Sequence, residues 1–228
     1  MAKWGMSIDL DRCTACRSCI VACKLENNHP ISTPEDAVKG RVINWIELVV
    51  EQTGTNHDLR ETYLPRPCMQ CDNPPCTKVC PVSATYLAEE GIVAQIYPRC
   101  IGCRYCMNNC PYNVKKFNWH EPEWPDTYRI SLNPDVSVRP VGVVEKCTFC
   151  HHRWQAEKES ARMEDRAPDK SVYQPACVEV CPTDAIRFGD IDDETSEVVR
   201  STASSRAYRL LEDLGTEPKV WYLSEQRE

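Results

Sequence analysis

The chain has 228 residues, 42% hydrophobic and 27% charged, which suits one or two packed domains and is too apolar for a disordered segment. Lys plus Arg number 27 against 34 Asp plus Glu, a formal charge of -7, so a general nucleic-acid-binding surface is not expected. Sixteen cysteines are several times ordinary usage, just under the density of short disulfide scaffolds, and the question is what their sulfurs hold.

In chain order, Met1 to Asp9 has no apolar core ahead of Asp9, Asp11 and Cys13, so neither a secretory leader nor a twin-arginine signal is expected there. Trp4 to Ile8 reads as a short strand leading into a first cysteine quartet, Cys13, Cys16, Cys19 and Cys23. The most apolar stretch, Val42 to Val50, is interrupted by Asn44 and Glu47 and falls short of the roughly 20 residues of a bilayer span, so no membrane anchor is expected. A second quartet, Cys68, Cys71, Cys76 and Cys80, precedes a predicted hairpin from Thr85 to Tyr97 that turns at Glu89-Glu90-Gly91. That hairpin delivers the chain into a third quartet, Cys100, Cys103, Cys106 and Cys110. Pro122, Pro125, Pro134 and Pro140 then mark a crossover, followed by Cys147 and Cys150, a charged helix-prone surface insert from His151 to about Arg166, the stop at Pro168, and Cys177 and Cys181. Short helices are predicted after Cys23, Cys80, Cys110 and Cys181. In the last three cases Pro81, Pro111 or Pro182 would occupy the first helical position. The final segment, Ser201 to Leu223, is predicted to hold a helix around Ala207 to Leu214, stopped by Gly215, with a short strand beyond.

The first and third quartets are spaced C-x2-C-x2-C-x3-C, the second C-x2-C-x4-C-x3-C and the fourth C-x2-C-x26-C-x3-C. Three close thiolates and one offset is the ferredoxin pattern: a short loop wraps three corners of a cubane cluster, and the fourth cysteine is led away to the neighbouring one. Eight disulfides among such spacings, with no secretion signal, would make a poor stabilising framework. Structural zinc suits four thiolates but pairs doublets and does not use three consecutive two-residue gaps. Cys147-Thr148-Phe149-Cys150-His151 is also a C-x-x-C-H haem-attachment signature, but haem there would strand Cys177 and Cys181. Arg17 and Arg104, each after the second cysteine of its quartet, are candidates for tuning a cluster potential by charge, with solvated or partner-paired side chains as the alternative. Trp119 and Trp124 read as packing or interface aromatics, and His29, His57, His120 and His152 have no ligand-like spacing.

The chain repeats itself. Arg12-Cys13-Thr14-Ala15-Cys16-Arg17-Ser18-Cys19 aligns with Arg99-Cys100-Ile101-Gly102-Cys103-Arg104-Tyr105-Cys106, and Cys76-Thr77-Lys78-Val79-Cys80-Pro81 with Cys177-Val178-Glu179-Val180-Cys181-Pro182. The expected fold is therefore α+β, with two pseudo-symmetric ferredoxin-like lobes of two clusters each, one nested within the other in sequence. Residues 1–60 and 141–200 form the first lobe (quartets one and four) and 61–118 the second (quartets two and three). Residues 119–140 are the crossover and 201–228 a C-terminal extension.

Cys68-Met69-Gln70-Cys71-Asp72-Asn73-Pro74-Pro75-Cys76, Cys100-Ile101-Gly102-Cys103-Arg104-Tyr105-Cys106 and the Cys181-Pro182-Thr183-Asp184-Ala185-Ile186 ending resemble the four-cluster ferredoxin-like subunits of membrane-associated molybdopterin oxidoreductases, of the dimethyl sulfoxide, polysulfide and tetrathionate reductase type. The long insert, Asn133-Pro134-Asp135-Val136 and Glu145-Lys146-Cys147-Thr148-Phe149-Cys150 are similar to the branch with alternative complex III and quinone reductase complex subunits. The resemblance implies four [4Fe-4S] clusters. Their implied ligands are Cys13, Cys16 and Cys19 with Cys181; Cys147, Cys150 and Cys177 with Cys23; Cys68, Cys71 and Cys76 with Cys110; and Cys100, Cys103 and Cys106 with Cys80. It implies one-electron relay between a polytopic quinone-handling membrane subunit, facing the quartet-three cluster, and a large molybdopterin catalytic subunit with molybdenum or tungsten, facing the quartet-one cluster. A molybdenum-free quinone-linked respiratory or hydrogenase complex is the alternative. The location implied is peripheral to the membrane within a complex, on the exported face by co-export with a partner or else on the cytoplasmic face. With no G-x-G-x-x-G, P-loop or nucleophile elbow, the chain is expected to be a non-catalytic subunit without a substrate site of its own.

Overall fold

The computed structural model describes residues 2–55 and 57–225; the last three residues of the predicted C-terminal extension lie outside them. Its first strand, β1 (Trp4–Asp9), is buried along almost its whole length because it is paired on both edges. The other elements in chain order are α1 (Ser18–Glu26), α2 (Pro34–Val38), β2 (Glu47–Thr53), β3 (Arg60–Arg66), α3 (Pro75–Lys78), β4 (Thr85–Leu87), β5 (Val93–Gln95), α4 (Tyr105–Asn108), β6 (Lys116–Phe117), α5 (Asp126–Arg129), β7 (Val144–Glu145), α6 (His151–Met163), α7 (Ala176–Glu179), β8 (Ile186–Asp190), α8 (Glu197–Thr202), β9 (Ala207–Tyr208) and β10 (Val220–Leu223). A four-stranded sheet has the order β8-β1-β10-β9, with β1 antiparallel to β8 and parallel to β10. Three antiparallel pairs, β2-β3, β4-β5 and β6-β7, complete a mixed α/β architecture of ferredoxin-like type.

The core forms where β1 meets α6. Trp4 stacks on Phe188 of β8 with centroids 5.4 Å apart and meets Trp154 and Tyr173 edge-on at 5.1 and 4.7 Å. Each such aromatic pair adds about 0.5–1.5 kcal/mol beyond the area it buries. Trp154 and Ala161, seven residues apart on one stripe of α6, are both buried, so the predicted surface insert is an exposed helix with one face in the core.

Two other local expectations are corrected. The short helices run from the third cysteine toward the fourth and end before Cys80, Cys110 and Cys181; they do not follow them, and α1 likewise already contains Cys19 and Cys23. After the fourth cysteine the chain makes a turn closed by Ser83 N–H to Cys80 O at 3.3 Å, Asn113 to Cys110 at 3.2 Å and Asp184 to Cys181 at 3.3 Å. Pro81, Pro111 and Pro182 therefore set φ at the second position of a β-turn, which suits proline as well as a helix N-terminus does. In the C-terminal segment, the helix expected at Ala207 to Leu214 is instead β9 and a single 3-10 turn, Glu212–Leu214, ended by Gly215 in the left-handed region; the helix lies earlier, at α8. Tyr208 pairs opposite Tyr222 in the sheet, and that contact outweighs local helix propensity. The strand at β1, the β4-β5 hairpin with Gly91 at φ 75°, the helix α6 and the strand at β10 lie where the sequence pattern puts them.

Long-range polar ties hold the non-repetitive segments. Buried Asn28, at φ 48°, donates to Asn133 O (2.8 Å) and Val136 O (2.7 Å) and accepts from Asn133 N–H (2.8 Å), pinning residues 119–140 onto the end of α1. Glu26 of α1 accepts from His152 (2.7 Å) and from the Arg153 fork (2.6 and 2.9 Å) on α6. The His152 hydrogen bond, reinforced by Arg153, holds the Glu26 carboxyl down at about 2 against an ordinary 4.5. Because the folded value lies below the unfolded one, this stabilisation is complete above about pH 4.5 and is lost as pH falls toward 2. The urea midpoints of the wild type and Glu26→Gln should therefore differ most at neutral pH and converge as the buffer is taken below pH 4.5; a gap that widens in acid would contradict the assignment.

Candidate iron-sulfur centres

Each short cysteine loop is built with residues at positive φ. The residue before the second cysteine is left-handed in all four quartets: Ala15 (φ 56°), Gln70 (47°), Gly102 (70°) and Phe149 (56°). Arg17 and Arg104, directly after the second cysteine, are left-handed as well, at 62° and 59°. Alternating right- and left-handed residues turn successive backbone N–H groups into one concavity, a nest for an anion. Holding a non-glycine residue there costs about 1–3 kcal/mol, a strain characteristic of ligand clamps. At Gly102 the cost would be greater, since a Cβ would sit 2.2 Å from Gly142 O. Gly102→Ala should therefore push the loop off β6-β7 and cost the cluster framed by quartet three before any other, read as loss of one of the spectroscopic signals at modest temperature; retention of all signals with unchanged stability would refute this.

The loops bring cysteines from different quartets together. One cavity is lined by Cys13, Cys16, Cys19 and Cys181, a second by Cys68, Cys71, Cys76 and Cys110, and a third by Cys80, Cys100, Cys103 and Cys106. Cys23 lies among Cys147, Cys150 and Cys177, whose charges add to burial in pushing its thiol up. Every one of the sixteen cysteines falls in one of these four sets, and all sixteen are free of disulfides. His151, the histidine of the C-x-x-C-H signature, opens α6 4.0 Å from Glu90 and within 2.6 Å of Gln155.

The donors fit an iron-sulfur cluster. Burial pushes Cys71 and Cys147 up to about 12 and Cys19, Cys76 and Cys150 up to about 11, so these thiols ionise only against a cation, which ligated irons provide. Among the described residues no three His, Cys, Asp or Glu side chains form a group able to hold a single metal ion; the thiols stand around cavities, as the corners of a cubane require. N–H groups also point at the sulfurs: Ala84 to Cys80 Sγ at 3.1 Å, Ala185 to Cys181 Sγ at 3.3 Å, Phe149 to Cys147 Sγ at 3.4 Å and Val144 to Cys100 Sγ at 3.5 Å. Asn27 Nδ2 reaches Cys23 Sγ at 3.7 Å and Cys150 Sγ at 3.9 Å. Such donors stabilise the more negative, reduced state.

Arg17 and Arg104 line the cavities of quartets one and three. Arg104 lies over the rings of Phe117 and Trp119, 5.1 and 4.9 Å from their centroids, while Trp124 donates to His29 O at 3.2 Å. Both tryptophans thus pack within the chain. Sequence reading missed the left-handed loop positions, the amide of Asn27 and two buried lysines, Lys115 and Lys146, beside quartet two. Only Gly102 carried a local signal, since αL strain in Ala15, Gln70 and Phe149 is imposed by the fold.

Four sets of four thiols in nests of inward-pointing amides define a four-cluster ferredoxin-like iron-sulfur protein. Two family models, each described as a 4Fe-4S dicluster domain, match residues 59–126 and 99–185. The chain is 52% identical to the menaquinone reductase iron-sulfur cluster-binding subunit of Nitratidesulfovibrio vulgaris, over 97% of this chain and 89% of that one. It is 36% identical to a tetrathionate reductase subunit of Salmonella typhimurium, over 97% and 72%, and 34% identical to a polysulfide reductase polypeptide of Wolinella succinogenes, over 99% and 96%. The chain belongs to this family of 4Fe-4S dicluster electron-transfer subunits, carries four [4Fe-4S] clusters and relays electrons through them.

Proposed function

We propose that the four cysteine sets are the ligand sets: Cys13, Cys16, Cys19 and Cys181; Cys23, Cys147, Cys150 and Cys177; Cys68, Cys71, Cys76 and Cys110; Cys80, Cys100, Cys103 and Cys106. The observation that carries this is the composition of the cavities, each taking three cysteines from one quartet and one from another. The same exchange supports two nested lobes, 1–60 with 141–200 around 61–118, joined by 119–140, with 201–228 as an extension. The antiparallel pair β4-β5 links Cys80 to Cys100, and the antiparallel pair β8-β1 stands in the same relation to Cys181 and Cys13. Helices α1 and α7 touch, as do α3 and α4.

When bound, the clusters supply reversible uptake of single electrons; the residues supply order and insulation. Cys19 is close enough to Cys23, and Cys68 to Cys147, for their charges to be felt, and α3 touches α4, which supports the order Cys13/16/19/181, Cys23/147/150/177, Cys68/71/76/110 and Cys80/100/103/106. At the junction of the middle two, buried Gln70 donates to Cys147 O at 2.8 Å and accepts from Val93 N–H at 2.8 Å, which fixes their spacing and excludes water.

The ends of this relay are the quartet-three set toward a quinone-handling membrane subunit and the quartet-one set toward a large molybdopterin catalytic subunit, with the chain peripheral to the membrane on its exported face. The names of the tetrathionate and polysulfide reductase relatives support a reductase partner, and no helix among the described residues is long and apolar enough to cross a membrane. The higher identity to a menaquinone reductase subunit supports a quinone-linked complex, and a complex of that kind without molybdenum is the second reading. Metal analysis and mass spectrometry of the complex that co-purifies anaerobically with the chain decide between them. Molybdenum or tungsten with a large subunit and a polytopic subunit supports the first reading; iron without either metal supports the second.

A further inference from the structure

The cavity of Cys68, Cys71, Cys76 and Cys110 is lined by two lysines that the relay as described does not use. Lys115 is 2% exposed and Lys146 not at all. Lys115 Nζ donates to Thr85 Oγ1 at 3.2 Å; Lys146 Nζ donates to Cys147 O at 2.9 Å and to Val93 O. Among the described residues neither makes an ion pair, although buried cations elsewhere do, Lys219 with Asp72 at 2.5 Å and Arg139 with Glu145 at 3.0 Å. Uncompensated ammonium groups in a protein interior are expensive, and the cavity these two line is one where four thiolates would hold an anionic group. The other two cysteine-lined cavities present arginines on exposed loops, Arg17 and Arg104, and no lysine.

We propose that Lys115 and Lys146 are the counter-cations of the cluster framed by Cys68, Cys71, Cys76 and Cys110, and that they set it as the most easily reduced of the four. Each electron passed to this cluster leaves a reduced neighbour oxidised and makes the net charge in the cavity one unit more negative. A fixed positive charge in a dry cavity therefore favours the reduced state over the oxidised one. Because Lys146 directly precedes Cys147, it also lies where electrons cross between the two inner sets. An electron arriving from either end of the relay would dwell at this station.

This rests on the proposed ligand sets, and the test separates the two. Lys115→Met and Lys146→Met, which keep the volume and remove the charge, are each purified in the full complex, and the four midpoint potentials are read by EPR-monitored redox titration beside the wild type. A Cys76→Ser variant identifies which signal belongs to this cavity. Expected is a fall of at least tenfold in the reduced-to-oxidised ratio of that signal at fixed potential, about 59 mV for a one-electron couple, with the three other signals moved less. The charge-keeping variants Lys115→Arg and Lys146→Arg should move it less. An unmoved signal in both Met variants, or equal movement of all four, overturns the proposal while leaving the ligand sets standing. If Cys76→Ser alters the same signal as Cys100→Ser and not that of Cys68→Ser, the ligand sets themselves are wrong. Should one lysine variant fail to accumulate, the other decides, since each charge acts on the same signal.

Discussion

Replacing Cys181 with alanine is expected to remove the cluster framed by Cys13, Cys16 and Cys19 and to spare the one framed by Cys147 and Cys150, although Cys181 belongs to the same sequence quartet as the latter. Cys181 closes the cavity of the first quartet, while Cys177, four residues earlier, lies with Cys23, Cys147 and Cys150. A two-step difference in reach explains this. Helix α7 (Ala176–Glu179) carries Cys177 on the side of α6, and the β-turn at Cys181-Pro182 then swings the chain toward β1, where Ala185 O accepts from Asp9 N–H at 2.8 Å. With one cubane lost, iron should drop from about sixteen to about twelve per chain. The measurement compares EPR signals in Cys13→Ala, Cys181→Ala and Cys177→Ala. The first two should lose the same signal and the third a different one; a shared loss between Cys177→Ala and Cys181→Ala would mean that each quartet binds its own cluster.

The second large effect is on stability. Arg139 and Glu145 form a buried ion pair, Nε to Oε2 at 3.0 Å, with 1% and 0% side-chain exposure. Arg139 also donates to Ser137 O and Asn28 O, both at 2.9 Å, and lies 5.2 Å above the Trp45 ring, while Trp45 Nε1 donates to the same Glu145 oxygen at 3.0 Å. The other carboxylate oxygen, Oε1, is buried with no hydrogen-bond partner, so Glu145 depends on Arg139 for its charge compensation. Arg139→Met would leave a buried carboxylate alone, at a cost of about 3–5 kcal/mol, and release the loop that joins β6 to β7. In a protein of this size that lowers the midpoint of anaerobic thermal unfolding on the order of 10 °C. Adding Glu145→Gln removes the stranded charge and keeps an acceptor for Trp45, so the double variant should recover much of the loss. An Arg139→Met protein within about 1 kcal/mol of the wild type would show that the pair contributes little.

The consequences for relay follow from where these features sit. The strained loops, the N–H groups aimed at Cys80, Cys100, Cys147 and Cys181, and the buried Gln70 hold the sulfurs in a preset frame, so little has to move when a charge arrives. The surface ion pairs, such as Arg187 with Glu197, contribute far less, because exposed pairs are screened by water and salt.

By itself the amino-acid sequence determined the chemistry and the local elements. Spacings of two and three residues place cysteines on one loop whatever the rest of the chain does, alternation in Trp4-Gly5-Met6-Ser7-Ile8 makes a strand, and Glu89-Glu90-Gly91 makes a turn, because each depends on neighbours a few residues away. It failed where local propensity competed with distant contacts. Proline after Cys80, Cys110 and Cys181 is equally good at a helix start and in a β-turn, and the turn won; Ala207 to Leu214 is helix-prone, but Tyr208 found a partner strand. The β2-β3 ribbon, seven residues on each side, was legible only as an apolar stretch, since its partner lies beyond a loop. Tertiary structure alone decided which charges are buried. Lys115, Lys146, Arg139 and Glu145 carry no local mark of burial, and only the closing of β6 on β7 and of both on the cysteine loops takes them out of water. Burial is a property of the whole fold, and the electrostatics of the relay inherit that dependence.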